Sequence, residues 1–267
     1  VKRVRRKGMG VPESPPPEAG DTAPRIRTDL HVHTVSSGHG FSTVREICAE
    51  ARGRGVEMVG ITDHGPAMPG GAHIYHFTNL VVMPRVLSGV RVLRSAECNI
   101  LDREGTLDVH DRALAVLDVV HAGIHPRTGY EGEGVEDNTR AVVAAVASGK
   151  VDILVHPGNP WYPLDYGTVA RAAASEGVLL EINNSSFTVV RQGSLDNCRA
   201  VIREAMKAGA GICVGSDAHD ASLVGRFEKA LELVDEAGFP EERIANRDPD
   251  AVLEFLRSRG RKEIFFE

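Results

Sequence analysis

The sequence predicts an α/β fold of seven βα units whose parallel sheet closes into a barrel, and three observations carry that expectation. Short apolar, β-branched runs alternate with amphipathic helical stretches from Thr28 onward. The runs are close to continuously apolar, as strands are when helices cover both faces of a parallel sheet. Histidines and acids recur at the ends of the runs at intervals near thirty residues. Right-handed crossovers wind such units into a barrel or an open doubly wound sheet, and barrel closure is the preferred reading.

Taken in order, the strands are Leu30–Val32, Val56–Ile61, Val90–Leu93, Val116–Val120, Val151–Val155, Val178–Ile182 and Ile212–Val214. The clearest helices are Thr43–Gly53 with Ser42 as its cap, Glu136–Ser148, Asp165–Glu176, Leu195–Ala208, and Arg226–Ala237 ending at Gly238. Residues 1–27 differ from the rest: a basic cluster (Lys2, Arg3, Arg5, Arg6, Lys7) is followed by Pro12, Pro15, Pro16 and Pro17 with almost nothing apolar between. That composition reads as a disordered extension, and the barrel spans residues 28–267.

Composition excludes several classes. With 42% hydrophobic and 25% charged residues, the 267-residue chain is globular and large enough to need no covalent staples. Cys48, Cys98, Cys198 and Cys213 have no CxxC spacing, which argues against a disulfide framework or a thiolate zinc site and points to the cytoplasm. A net charge of -6 gives no global reason to bind nucleic acid or an anionic membrane. No apolar run approaches the roughly 20 residues of a spanning helix. Nothing in the sequence specifies an oligomeric state.

The recurrent stations carry the chemistry. His31 and His33 project to one side of the first strand. His64, Glu97, His125 and His156 then follow at intervals of 33, 33, 28 and 31 residues, and Asp217 comes 61 residues later, with His219 beside it. The skipped station is Glu181-Ile182-Asn183-Asn184. In parallel barrels the C-terminal strand ends converge on one mouth. His39, in the loop Ser37-Gly38-His39-Gly40, can fold back over it. Seven histidines and two acids are too many ligands for one metal and suit three, with positions left for water or substrate.

HxH at the first strand, Thr62-Asp63-His64 at the second, Glu97 at the third, His125 and His156 at the fourth and fifth, and Asp217-Ala218-His219 at the seventh resemble the polymerase-and-histidinol-phosphatase (PHP) family. His39-Gly40, His156-Pro157-Gly158-Asn159-Pro160 and Glu181-Ile182-Asn183-Asn184-Ser185-Ser186-Phe187 are similar to its stand-alone phosphatase branch. The likeness runs from about Thr28 to Gly260. It implies a distorted (β/α)7 barrel with a trinuclear metal centre at the C-terminal mouth of the strands. Carried over, His31, His33, Glu97 and Asp217 hold one ion, Glu97 bridges to a second held by His125 and His156, and His39, His64 and His219 hold the third.

A phosphate ester repels hydroxide, so a catalyst must neutralise its oxygens and make a nucleophile near neutral pH, and clustered dications do both. The expected activity is therefore hydrolysis of small-molecule phosphate monoesters by a metal-bridged hydroxide, with Glu97, Asp217 and His219 as catalytic residues. Zinc is the first choice of ion, and manganese or iron also suits mixed imidazole and carboxylate ligands. The alternatives are a phosphodiesterase or 3′-5′ exonuclease and a regulatory metal scaffold without turnover; the acidic balance disfavours nucleic acid as a partner. Arg127, His73 and His76 are candidate substrate contacts, and Asp63 is a candidate acid for the leaving group. His121 reads as a buried neutral histidine below the mouth, and His110 as an exposed residue before a helix.

Overall fold

The computed structural model describes residues 25–132, 134–188 and 191–266. Seven parallel strands, β1 (Thr28–Val32), β2 (Met58–Ile61), β4 (Val90–Asn99), β5 (Val119–Gly123), β6 (Ile153–Leu154), β7 (Leu179–Asn183) and β8 (Ile212–Gly215), pair in that order. A two-residue strand, β3 (Val86–Leu87), adds antiparallel to β4 off the path. The sheet nearly closes. Val32 bridges Ala218 in parallel beyond the end of β8, and the His33 N–H donates to the Ala218 carbonyl at 2.8 Å.

Lower down the seam β1 and β8 are spliced by Asn246 rather than by each other. Its amide donates to the carbonyls of Thr28 (3.0 Å) and Val214 (2.8 Å), and its Oδ1 accepts from the Val214 N–H at 2.9 Å. The Thr28 hydroxyl in turn donates to the Asn246 carbonyl at 2.6 Å. This wedge is the distortion of the barrel.

The floor is apolar. Leu30, Met58, Leu93, Val119, Ile153, Leu179 and Cys213, one from each parallel strand, form one buried cluster, against which Val252 and Leu256 of α8 (Pro249–Ser258) pack. Counting upward in twos, as strand geometry requires, leads from Leu93 to Ser95 and Glu97, from Val119 to His121, and from Leu179 to Glu181 and Asn183. Polar side chains therefore occupy the interior above the floor. In β1 the register shifts, pairing Asp29 with Val59 but Val32 with Ile61, so Leu30 and His31 together stand opposite Gly60. The extra residue lets Leu30 join the floor while His31 also points inward.

The outer helices follow local signals. Thr43, not Ser42, caps α1 (Val44–Gly53) in a capping box with Glu46, while the Ser42 hydroxyl accepts from the Ala221 N–H. Asp165 caps α5 (Tyr166–Glu176), which ends at the left-handed Gly177. The other long helices are α4 (Val135–Ala147), α6 (Ser194–Ala208) and α7 (Glu228–Glu236). Their apolar faces, with the outward sides of the strands, make the main core.

Several expectations shift. The fourth strand begins at Val119 instead of Val116, because α3 (Asp111–Leu114) precedes it and Asp118 accepts from the Arg94 N–H at 2.7 Å. The His73-to-Phe77 stretch, read as loop, caps and begins α2 (Ile74–Asn79). The start signals of α8, Asp248 as cap and Pro249 at the first turn, were legible but not assigned. Of the extension at 1–27, residues 1–24 lie outside the described residues, whereas Arg25 to Arg27 belong to the barrel: Ile26 is buried, and Arg25 pairs with Asp235 and Glu241.

Removing the seam wedge should be costly. Asn246→Ala leaves two carbonyls and one N–H buried without partners, so denaturant unfolding should report a loss of about 3 kcal/mol; a loss below about 1 kcal/mol would show that the seam closes without it.

Candidate metal centre

The strand ends deliver the side chains unequally. β4 is the longest strand and carries Glu97 up among its neighbours, where His64, just past β2, bridges it in parallel. His156 and Asp217, just past β6 and β8, have φ of 31° and 54°. Such left-handed backbone costs about 1–3 kcal/mol for a side chain with a Cβ and persists where the surroundings over-determine it.

The nine residues come together at the mouth in overlapping groups. His31 Nε2 and His33 Nε2 are 3.1 Å apart, each is 3.3 Å from Glu97 Oε2, and they lie 3.6 and 3.3 Å from Asp217 Oδ1. His125 Nε2 and His156 Nε2 are 3.1 Å apart, and each is 2.9 Å from Glu97 Oε1. His39 Nε2 and His219 Nε2 are 2.9 Å apart, with the His64 ring stacked 5.0 Å from that of His39. The His64 Nδ1 sits 2.9 Å from Glu97 Oε2, yet neither atom makes a hydrogen bond. The two oxygens of Glu97 thus face different histidine groups.

Proton bookkeeping shows what this arrangement lacks. His31 Nδ1 lies 2.7 Å from Glu181 Oε1 and must carry the proton of that bond. The Ser37 hydroxyl donates to Asp63 at 2.7 Å, so His33 Nδ1, 3.0 Å away, must donate to it. In the neutral rings both Nε2 atoms are then lone pairs, converging with two carboxylate oxygens and no hydrogen among them. Burial alone would lower the His31 pKa, but Glu181, Glu97 and Asp217 raise it well above its ordinary value. The point draws positive charge, from a proton or from a cation.

His33 and His156 are held in ligating form. Burial, with His219 and His64 nearby, keeps the His33 pKa well below its usual value, and burial and Arg191 lower His156 to about 4. Three groups of donors, His31–His33–Asp217, His64–Glu97–His125 and His33–His64–His219, each bring their ligand atoms within 4.8 Å of one another. The donor set fits divalent transition metals, and the orphaned lone pairs are what such ions satisfy.

Behind these side chains stands a layer to which the sequence reading gave no orienting role. Glu181 orients His31 and also accepts from the His156 N–H at 2.8 Å and the Asn183 amide at 3.0 Å. Gly215 makes room for it, since a Cβ there would lie 2.0 Å from Glu181 Oε1. Asp63 accepts from the Thr34 N–H (2.8 Å), the Thr34 hydroxyl and Ser37. Burial pushes the Asp63 pKa up, but bonds from His76, Ser37 and Thr34 prevail and hold it at about 2. Through Ser37 it anchors His33.

A cavity of about 560 Å³ opens over the mouth, lined by His39, His64, His125, Asp217 and His219 among others. Arg191 lines it too, its Nη1 2.8 Å from Asp217 Oδ2. The candidate substrate contact Arg127 is exposed and lies outside the lining, as do His73 and His76. His73 caps α2 by accepting from the Tyr75 N–H, and His76 Nε2 faces Asp63 at 3.2 Å. The signal for Arg191 was weak, because it stands eight residues beyond β7. His110 is an exposed cap of α3, and His121 is buried with burial lowering its pKa to about 3.

With this geometry in hand, comparison with known proteins gives three findings. The PHP domain profile matches residues 29–237. A probable phosphatase of Shewanella loihica is 47% identical over 238 residues, covering 89% of this chain and 96% of that protein, and one of Edwardsiella ictaluri is 47% identical over 236 residues, covering 88% and 96%. The crystal structure of histidinol phosphate phosphatase from Lactococcus lactis, complexed with zinc, L-histidinol and phosphate, superposes with a TM-score of 0.50 at 16% identity, covering 80% of this chain and 95% of that one. That last likeness concerns the fold.

The Asp63 anchor sets a pH dependence. A carboxyl lowered from 3.8 to about 2 adds stability that is present above pH 4 and is lost as pH falls through 2. In metal-free protein, Asp63→Asn should cost about 2 kcal/mol at pH 6 and about half of that at pH 3, by urea unfolding; a gap that does not change with pH would contradict this account.

Proposed function

The chain belongs to the PHP domain family, and from that membership and the chemistry of its mouth we propose that it is a metal-dependent phosphatase that hydrolyses small-molecule phosphate monoesters. The observation that carries this reading is the meeting of His31 Nε2, His33 Nε2, Glu97 Oε2 and Asp217 Oδ1 at a buried point that draws positive charge. His31, His33, Glu97 and Asp217 would hold one ion; Glu97, His125 and His156 a second; His39, His64 and His219 the third. Zinc suits this set best, and manganese or iron fits it. When bound, such ions neutralise phosphate oxygens and lower the pKa of water.

The chain's own residues do the rest. Glu97 presents one oxygen to each of two histidine groups and so balances charge between them. Asp217 joins His31 and His33 on one side to Arg191 on the other. Arg191 is held by that carboxylate with further N–H groups free to meet a terminal phosphate oxygen, a geometry guanidinium favours. His219, at the cavity wall, sits where an incoming ester passes. Glu181 and the Ser37–Asp63 pair keep His31 and His33 in the tautomer that leaves Nε2 unprotonated.

The cavity favours a monoester over a diester or a nucleic acid. Among the described residues Arg191 is its one lysine or arginine, whereas a nucleic-acid track needs several.

Purified, metal-replete protein should carry about three transition-metal ions per chain by elemental analysis, and Glu97→Gln should lose more of them than His39→Ala; one ion or none in the parent protein, or equal losses, would contradict the assignment. Initial rates with matched metal and pH should favour an aryl phosphate monoester over the corresponding diester and single-stranded DNA by at least about a hundredfold, and Asp217→Asn should abolish them. Preference for the diester or for DNA would overturn the monoesterase reading.

A further inference from the structure

Above the ligand cluster the cavity is walled by apolar side chains from four separate loops: Met68 after β2, Pro126 after β5, Trp161 after β6 and Leu223 after β8. Trp161 is the one tryptophan of the chain and stands 60% exposed, and Leu223, which lines the same cavity, is 47% exposed. The turn that carries Trp161 is fixed without its indole: the Trp161 N–H donates to Asn159 Oδ1 at 3.1 Å, and the next residue, Tyr162, is the one that packs inward. Large apolar surface left at a cavity wall, with no role in holding its own loop, is surface for a ligand to cover.

The polar lining points the same way. Asn159 Oδ1 is engaged by Trp161, and the Thr188 hydroxyl donates to the Ser185 carbonyl at 2.7 Å. Asp217 is the one carboxylate among the described lining residues, and Arg191 holds it. An ammonium on the leaving group would therefore enter a site that already holds a guanidinium, with no acid to receive it.

Resting on the phosphatase reading above, we propose that the substrate's leaving group is an uncharged aromatic or apolar alcohol, seated against Trp161 and Leu223 while the phosphoryl group meets Arg191. Hydrolysis breaks the P–O bond to that alcohol; the oxygen of water ends on phosphorus, its proton on the departing oxygen, and orthophosphate and the free alcohol are the products. Aromatic stacking and desolvation of the leaving group select the substrate, since the phosphoryl end is common to all esters.

The test uses metal-loaded, full-length protein and three alkyl esters of similar intrinsic reactivity: phenethyl phosphate, phosphoethanolamine and glycerol phosphate. Phenethyl phosphate should have the highest kcat/KM, by about tenfold. Trp161→Ala should erase that preference through KM, and Trp161→Phe should keep most of it. Because Trp161 is the sole tryptophan, its fluorescence should shift saturably with phenethyl phosphonate and much less with aminoethyl phosphonate, a readout independent of turnover. Equal or better use of phosphoethanolamine or glycerol phosphate, or an equal loss on all three esters in Trp161→Ala, would overturn the proposal while leaving the phosphatase reading standing. Failure to hydrolyse any of them, or an aryl phosphate, would overturn that reading and this one with it.

Discussion

Everything at the barrel mouth is arranged around one electrostatic problem: electron pairs from seven imidazoles and two carboxylates converge at hydrogen-bond distance with too few protons to go between them. Glu97 lies at the middle, 2.9 Å from His125 and His156 through one oxygen and 3.3 Å from His31 and His33 through the other. In a buried site such crowding is expensive unless cations complete it. The fold tolerates it because each element that brings a donor is fixed elsewhere.

The supports are specific. A one-residue bulge in β1 allows Leu30 to fill the floor and His31 to enter the cluster. Glu181 and Ser37 fix the protonated nitrogens of His31 and His33, and Gly215 leaves the space that Glu181 needs. His156 and Asp217 hold left-handed backbone that their hydrogen bonds and neighbours keep in place. The apolar floor and the Asn246 seam supply the rigidity against which this strain is borne.

Much of this was legible in the sequence for a definite reason: a parallel barrel brings strand ends together, so residues that meet at its mouth fall at the repeat length and announce themselves. The strands, the five outer helices α1, α4, α5, α6 and α7, and the convergence of His31, His33, His39, His64, Glu97, His125, His156, Asp217 and His219 could be read that way. What could not be read was anything set by contact instead of period. Glu181 occupies the skipped station and looks like an absent ligand, whereas in space it is the partner of His31. Arg191 lies beyond its strand, in a loop whose return to Asp217 no spacing encodes. Arg127, His73 and His76 were plausible because they follow ligand-bearing strands, but α2 turns its histidines to its own cap and to Asp63.

The central claim is that the mouth is a polynuclear centre with Glu97 shared between ions. Crystals of metal-loaded protein, measured at the absorption edge of the bound element, test it most directly. The account predicts three anomalous peaks within the histidine cluster, two of them flanking the separate oxygens of Glu97. A single peak, or peaks that leave Glu97 bound to one ion or to none, would contradict it.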